Sequence, residues 1–339
     1  MIENHIRMES PFEFEMGGRI EGLEIVYHTS KPEYSGKEKV IWICHALTAN
    51  SNPEDWWPQL VGPSKFFDTD RYFIVCVNML GTPYGTSGPA SVDPSTGRPY
   101  RFSFPAFTIR DTVSVFSIVR RHLGIDRVDL LIGSSIGGFH ASEWLVTEPD
   151  VIGKAALIAT DVRVSAWLSA SCEAQRMALE ADQTFRGSDS LDGGKKGLMC
   201  ARAQALISYR SYDGFVKTQS EADPDTLVAT RAASYERYQG EKLAKRYDAY
   251  SYWSLCNVLD THNTGRGRGG VEAALSRIKA ATTVIGIDSD CLFPARCMKE
   301  WASLIPGADF RVITSVFGHD GFLLESGQIV AILSEMLRI

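Results

Sequence analysis

The chain has no Cys-x-x-Cys pair, no surplus of basic residues and no long apolar run. Its seven cysteines (44, 76, 172, 200, 256, 291 and 297) are odd in number and scattered, mostly inside apolar stretches, which argues against a disulfide framework and for reduced thiols. Lys plus Arg number 35 against 41 Asp plus Glu, a net charge of −6. That balance excludes a nucleic-acid binder or a basic membrane-surface protein as the first reading. No apolar run approaches the roughly 18 residues that span a bilayer. Met1-Ile-Glu-Asn-His-Ile-Arg-Met-Glu-Ser10 lacks both the basic start and the apolar core of a signal peptide. No 20-to-50-residue repeat or low-complexity tract is visible. These absences lead to the expectation of a soluble, cytoplasmic protein that binds neither nucleic acid nor membrane.

What is present is a sequence of short buried strands. Leu23–His28, Lys39–Ala46 and Tyr72–Asn78 are rich in Ile, Val and aromatics; the last is continuously apolar, as a strand covered on both faces must be. Gly81 to Pro105 has no helical period, and a loop of that length in a compact enzyme is usually functional. Ile109, Val113, Phe116, Val119 and Leu123 recur at the spacing of a helix with one buried face. Strand Val128–Ile132, a helix to about Glu148 and strand Ala155–Ala159 follow. The order predicts a mostly parallel sheet with crossover helices.

Between Asp161 and Arg268 no buried strand is legible. Helical spacing dominates in Ser171–Ala181, Gly197–Tyr209 and Thr226–Tyr238. Core elements return with strand Thr282–Ile287, helix Arg296–Leu304, strand Phe310–Val316 and a terminal helix near Gln328–Leu337. The predicted organisation is a first core part (1–160), an inserted helical lid (161–268) and a second core part (269–339). Gly265-Arg-Gly-Arg-Gly-Gly270 matches G-x-G-x-x-G formally, but no strand precedes it, so a flexible linker returning to the core is the better reading than a dinucleotide site.

Chemistry concentrates where Ile132 gives way to Gly133-Ser134-Ser135-Ile136-Gly137-Gly138. Gly133 and Gly137 frame Ser135 at minus two and plus two, the pattern of a nucleophile elbow; Ser134 has Ile132 at its minus-two position and does not fit. A serine hydroxyl needs a base, and in this architecture acid and histidine follow in that order. His140 lies on the elbow helix and points away from the turn. His262 is near the end of the insertion, with a minor claim to touching substrate. His319, in Phe317-Gly-His-Asp-Gly321 after a strand, is the expected base. The acid should follow the preceding strand, where Asp288 and Asp290 both qualify; Asp290, further into the loop, is favoured, with Asp288 bracing it. Two backbone N–H groups must meet the developing oxyanion: Ile136, next to the nucleophile, and Leu47, after the strand around Ile41–Cys44. No metal site is expected.

Longer stretches carry a resemblance. His45-Ala-Leu-Thr48, Asp68-Thr-Asp-Arg-Tyr-Phe73, Thr96-Gly-Arg-Pro-Tyr100, Thr108-Ile-Arg-Asp111, Arg237-Tyr-Gln-Gly240, Gly265-Arg-Gly-Arg-Gly269, Leu292-Phe-Pro294 and Gly318-His-Asp320 together resemble the homoserine O-acetyltransferase family over nearly the whole chain. The resemblance implies an α/β-hydrolase fold with a helical lid. It also implies transfer of acetyl from acetyl-CoA, a co-substrate rather than a resident cofactor, to the hydroxyl of L-homoserine, a step towards methionine. The family triad falls on Ser135, Asp290 and His319. Its substrate-positioning arginine falls on Arg202, eight residues before Arg210, and its aspartate after the histidine falls on Asp320. A guanidinium clamps an amino acid's carboxylate and a carboxylate holds its ammonium. Dimerisation through the lid is a family expectation, and Arg266 and Arg268 are candidate CoA contacts. The chain departs from the family's usual Gly-Gly-Ser-Met-Gly-Gly at Ser134 and Ile136, and at Thr82-Pro83 before Tyr84. Relatives include esterases of simple acetate esters and transferases of other acyl groups, which are the alternative readings.

Overall fold

A computed structural model describes residues 1–337. Its centre is an eight-stranded sheet: β1 (Ile2–Arg7), β2 (Glu24–Thr29), β3 (Val40–Cys44), β4 (Phe73–Val77), β5 (Val128–Ser134), β6 (Ile152–Ile158), β7 (Ala281–Ile287) and β8 (Asp309–Ile313). The spatial order is β1-β2-β4-β3-β5-β6-β7-β8. Only the β1–β2 and β2–β4 pairings are antiparallel; the other neighbours run parallel.

The apolar runs explain the layering. Along β3, Trp42 faces a core that includes Phe116 and Trp144, whereas Ile41 and Ile43 face a second core that includes Ile329 and Leu333. Trp42 stacks edge-on against Trp144 with ring centres 4.8 Å apart. Helices cover both faces: α1 (Ile109–His122), α2 (Ile136–Thr147), α8 (Ala295–Ala302) and α9 (Ser326–Leu337). Leu131 and Ile132 are fully buried, and burial of each stabilises the fold by roughly 1.5–3 kcal/mol. Helix α1 starts where Thr108 and Asp111 cap each other reciprocally, which satisfies two N–H groups that otherwise lack partners.

Five longer helices lie between β6 and β7: α3 (Ala166–Glu180), α4 (Lys195–Tyr209), α5 (Tyr212–Gln219), α6 (Arg231–Ala244) and α7 (Ala249–Asp260). The two ends of this insertion are tied together, Val164 N–H donating to His262 O at 2.9 Å and Thr264 N–H to Val162 O at 3.0 Å. Among the described residues no helix is long and apolar enough to cross a membrane.

Several boundaries differ from expectation. β1 was not legible, because an edge strand reading Ile-Glu-Asn-His-Ile-Arg leaves most of its side chains in water. α7 was not legible either: eight of its twelve residues are buried, so it shows no polar stripe. α6 starts at Arg231 rather than Thr226, and β8 stops at Ile313 rather than Val316. The 265–270 segment is not a flexible linker. Arg266 pairs with Glu15 (2.8 Å), Arg110 bridges Glu15 and Glu143 (3.2 Å each), and Arg268 donates to buried Glu143 (2.9 Å). These ion pairs also occupy the two arginines considered for CoA.

Candidate active site

The parallel register sets the stage. Gly133 of β5 is level with Cys44 of β3 and with Leu157 of β6. The residues that follow β3, β5, β7 and β8 therefore open at one edge of the sheet.

At that edge Ser135 is bent to φ 57°, ψ −128° between β5 and α2. This is a strained conformation for a residue with a Cβ, and it persists only because its surroundings enforce it. Its N–H is shared between Ile158 O (3.1 Å) and Ala159 O (3.2 Å), and its carbonyl accepts from Thr160 Oγ1 at 2.7 Å. The framing glycines are steric requirements. A Cβ on Gly133 would collide with the Gly137 carbonyl, and one on Gly137 with the Cys44 carbonyl. The second contact presses the loop after β3 against the first turn of α2. Ile136 follows the nucleophile, Leu47 lies on the loop after β3, and neither N–H has a hydrogen-bond partner among the described residues. Free N–H groups at a helix N-terminus are suited to a developing oxyanion.

The loop that bears Leu47 is held firmly. His45 donates Nδ1–H to Ala46 O (2.9 Å) and accepts the Met79 N–H at Nε2 (3.1 Å). From the insertion, Tyr247 OH donates to Leu47 O at 3.3 Å and Arg246 donates to Thr48 O.

His319 and Asp290 are buried and joined, His319 Nδ1 to Asp290 Oδ2 at 2.8 Å. The other carboxylate oxygen, Oδ1, accepts Leu292 N–H (2.8 Å) and Phe293 N–H (3.0 Å). With Nδ1–H donated to the carboxylate, Nε2 is the lone-pair nitrogen available to a nucleophile. Asp288 lies elsewhere, accepting the Ser315 N–H at 3.0 Å, and braces the loop after β8. The His319 ring is enclosed by Phe293, Phe322 and Tyr209, with ring centres 5.2, 5.3 and 5.7 Å away. Ser135 Oγ makes no hydrogen bond among the described residues; such contacts tighten when substrate binds.

The insertion supplies the charged wall. Arg202 lies on α4 with its guanidinium 5.7 Å from the centre of the Tyr209 ring, which itself faces His319. Asp320, next to the base, is paired with Arg210 (Nε to Oδ2, 3.0 Å). Gly318 (φ 65°) lets the histidine loop touch the backbone of Arg210 and Ser211, where a Cβ would intrude. Tyr209, Thr160 and the Arg210–Asp320 pair were not singled out from sequence, because only the fold makes them neighbours.

His262 and His140, the other histidines after the elbow, are packed into the core. His262 is stacked on Phe139 at 4.0 Å and donates Nε2–H to Asp161 O at 3.0 Å. His140 is buried edge-on to Phe116, with neither ring nitrogen hydrogen-bonded. Burial holds His45 down at about 4, His262 at about 3 and His140 well below the usual imidazole range. Each folded pKa lies below the unfolded one. Their stabilisation is therefore present above pH ~6.5 and is lost as pH falls below it. Asp161, pushed up to about 6 by burial, acts in the opposite sense. Because three imidazoles oppose one carboxyl, lowering the pH from 7 to 5.5 should reduce the unfolding free energy, measured by denaturant titration; unchanged stability over that interval would refute it.

The profile of the alpha/beta hydrolase fold matches residues 39–326. A homoserine O-acetyltransferase of Cyclobacterium marinum is 40% identical over 333 residues, covering 98% of this chain and 94% of that protein. Among solved structures, homoserine O-acetyltransferase from Bacillus anthracis superposes with a TM-score of 0.90 at 23% identity, over 100% of this chain and 98% of the other. An acetylester hydrolase from Corynebacterium glutamicum gives 0.86 at 26% identity, over 100% and 96%. With its serine at a strained elbow, its buried Asp–His pair and this similarity along almost its whole length, the chain belongs to the homoserine O-acetyltransferase family of α/β-hydrolases.

Proposed function

We propose that the chain transfers acetyl from acetyl-CoA to the side-chain hydroxyl of L-homoserine, an amino-acid biosynthetic step towards methionine. His319 Nε2 takes the proton of Ser135 as Oγ attacks the thioester carbonyl. The oxyanion lies between the Leu47 and Ile136 N–H groups, and Asp290 stabilises the imidazolium. Collapse expels CoA as its thiol, with the proton returned by His319, and leaves acetyl on Ser135. Homoserine then gives its hydroxyl proton to His319 and attacks the acyl carbon; the second collapse releases O-acetylhomoserine and reprotonates Ser135. Acetyl-CoA is a substrate of the first half-reaction, not a resident group.

The observation that carries an amino acid as acceptor is the Arg202 guanidinium over Tyr209, one ring away from the base. A guanidinium there can take the acceptor's carboxylate, with Asp320 on the side of its ammonium. The helical insertion acts as the lid that keeps water from the acyl-serine. The insertion exposes Trp167, Met177, Ile207 and Tyr212, large apolar side chains of the kind that pairing of two copies would cover.

The likeness to an acetylester hydrolase favours one second reading, hydrolysis of small acetate esters. Incubation with acetyl-CoA, with and without L-homoserine, separates the two. The expected products are O-acetylhomoserine with the acceptor and little free acetate without it. Varying both substrates should give parallel double-reciprocal lines, the mark of a two-step acyl-enzyme route. Free acetate at equal rates in both tubes would establish the hydrolase, and succinyl-CoA outperforming acetyl-CoA would replace the donor.

A further inference from the structure

Four charged side chains meet where the insertion faces His319: Arg202 and Arg210 of the α4 segment, Asp320, and Glu236 of α6. Sequence spacing does not group them. Helices α4 and α6 run antiparallel in near contact, because a Cβ on Gly240 would lie 2.8 Å from Met199 O, and further along Arg210 Nη2 donates to Tyr235 OH at 3.1 Å. Glu236 is one turn before Gly240 on the same face of α6. It therefore looks onto the stretch of α4 between those two contacts.

Both carboxylate oxygens of Glu236 are enclosed, and neither has a hydrogen-bond partner. Arg202 and Arg210 are the charges that act on it, and burial raises its pKa against their pull. Arg210 is already committed to Asp320 and Tyr235. Arg202 makes no ion pair or hydrogen bond among the described residues, only its contact with the Tyr209 ring. Two charges are thus left over, one of each sign, on facing helices and not touching each other. A buried carboxylate without a partner is costly. A zwitterion complements both charges, its carboxylate matching Arg202 and its ammonium Glu236.

We infer that Glu236 is an acceptor-binding residue, receiving the ammonium of an α-amino-acid acceptor whose carboxylate lies on Arg202, and that it selects amino-acid alcohols over plain ones. The inference rests on the transferase reading above. Asp320 bounds the same cluster from the His319 side, and an ammonium has three N–H groups to distribute between two carboxylates. The acceptor's two methylenes then run along the Tyr209 ring and bring its hydroxyl to His319.

The test is Glu236→Gln, which keeps the shape and removes the charge. L-2-Aminobutanoate is homoserine without the hydroxyl, and butanoate lacks the ammonium as well; both serve as competitive inhibitors against the acceptor. The KM for L-homoserine and the inhibition constant of L-2-aminobutanoate should each rise about 10- to 100-fold, the worth of one hydrogen bond to a charged group. That of butanoate should move far less. Glu236→Asp should recover part of the loss. Because Glu236 has no partner to lose, the melting temperature of Glu236→Gln should be unchanged or higher. Equal shifts for both inhibitors, an unchanged KM, or a melting temperature several degrees lower would overturn the assignment and leave the transferase intact. A wild-type enzyme that forms no O-acetylhomoserine would remove the transferase reading, and this inference with it.

Discussion

Ser135→Ala should lose acetyl transfer by on the order of 10⁴-fold or more and should take up no acetyl label from acetyl-CoA. The size of the loss follows from the division of labour at the elbow. The backbone donors of Leu47 and Ile136 and the Asp290–His319 pair all survive the substitution, but the step they serve, attack by a covalently retained oxygen, has no atom left to perform it. The fold should be unaffected. Alanine has the same Cβ that serine already carries at φ 57°, and Ser135 Oγ has no hydrogen bond to forfeit among the described residues. A melting temperature near that of the wild type, together with lost labelling in intact-mass spectra, is the expected pair of results. Stoichiometric acetylation that persists in the alanine variant would mean a different nucleophile.

Asp290→Asn is the second large effect, on the order of 10³- to 10⁴-fold in kcat at neutral pH. Its cause is a tautomer. Two backbone N–H groups, from Leu292 and Phe293, point at Oδ1, so an asparagine must place its carbonyl oxygen there and turn its NH₂ towards His319. Nδ1 must then accept instead of donate, the imidazole proton moves to Nε2, and the nitrogen facing the nucleophile has no lone pair to offer. Asp288→Asn is the control. Asp288 meets one backbone N–H, that of Ser315, and no imidazole, so its loss should loosen the loop and reduce activity far less. Equal losses in the two variants, or an Asp290→Asn enzyme within tenfold of wild type, would refute the tautomer argument.

The two aspartates show how far a linear reading reaches. Both follow the same strand, two residues apart, and position in the loop favours Asp290 as the acid that orients a base without deciding it. Asp290 has that role because the turn after β7 aims its carboxylate at a histidine 29 residues away. His262 and His140 make the same point in reverse. His262, near the end of the insertion, could pass for a site residue, but its ring is stacked on Phe139 with Nε2–H given to Asp161 O, and the His140 ring is buried edge-on to Phe116.

The chain by itself determined the parallel sheet, the elbow and the serine, because these depend on short-range sterics. A short continuous apolar run bounded by turn residues fits a strand covered on both faces, and a turn that places Ser135 at positive φ admits only hydrogen at positions 133 and 137. Which charges of the wall are paired, and that Glu236 joins Arg202 and Asp320, was decided by tertiary structure alone. Arg202, Arg210, Glu236 and Asp320 come from two helices and a distant loop, and whether each charge is paired depends on the gap between α4 and α6 and on the approach of both to the histidine loop. Ion pairing depends on distance in space, which sequence spacing does not encode.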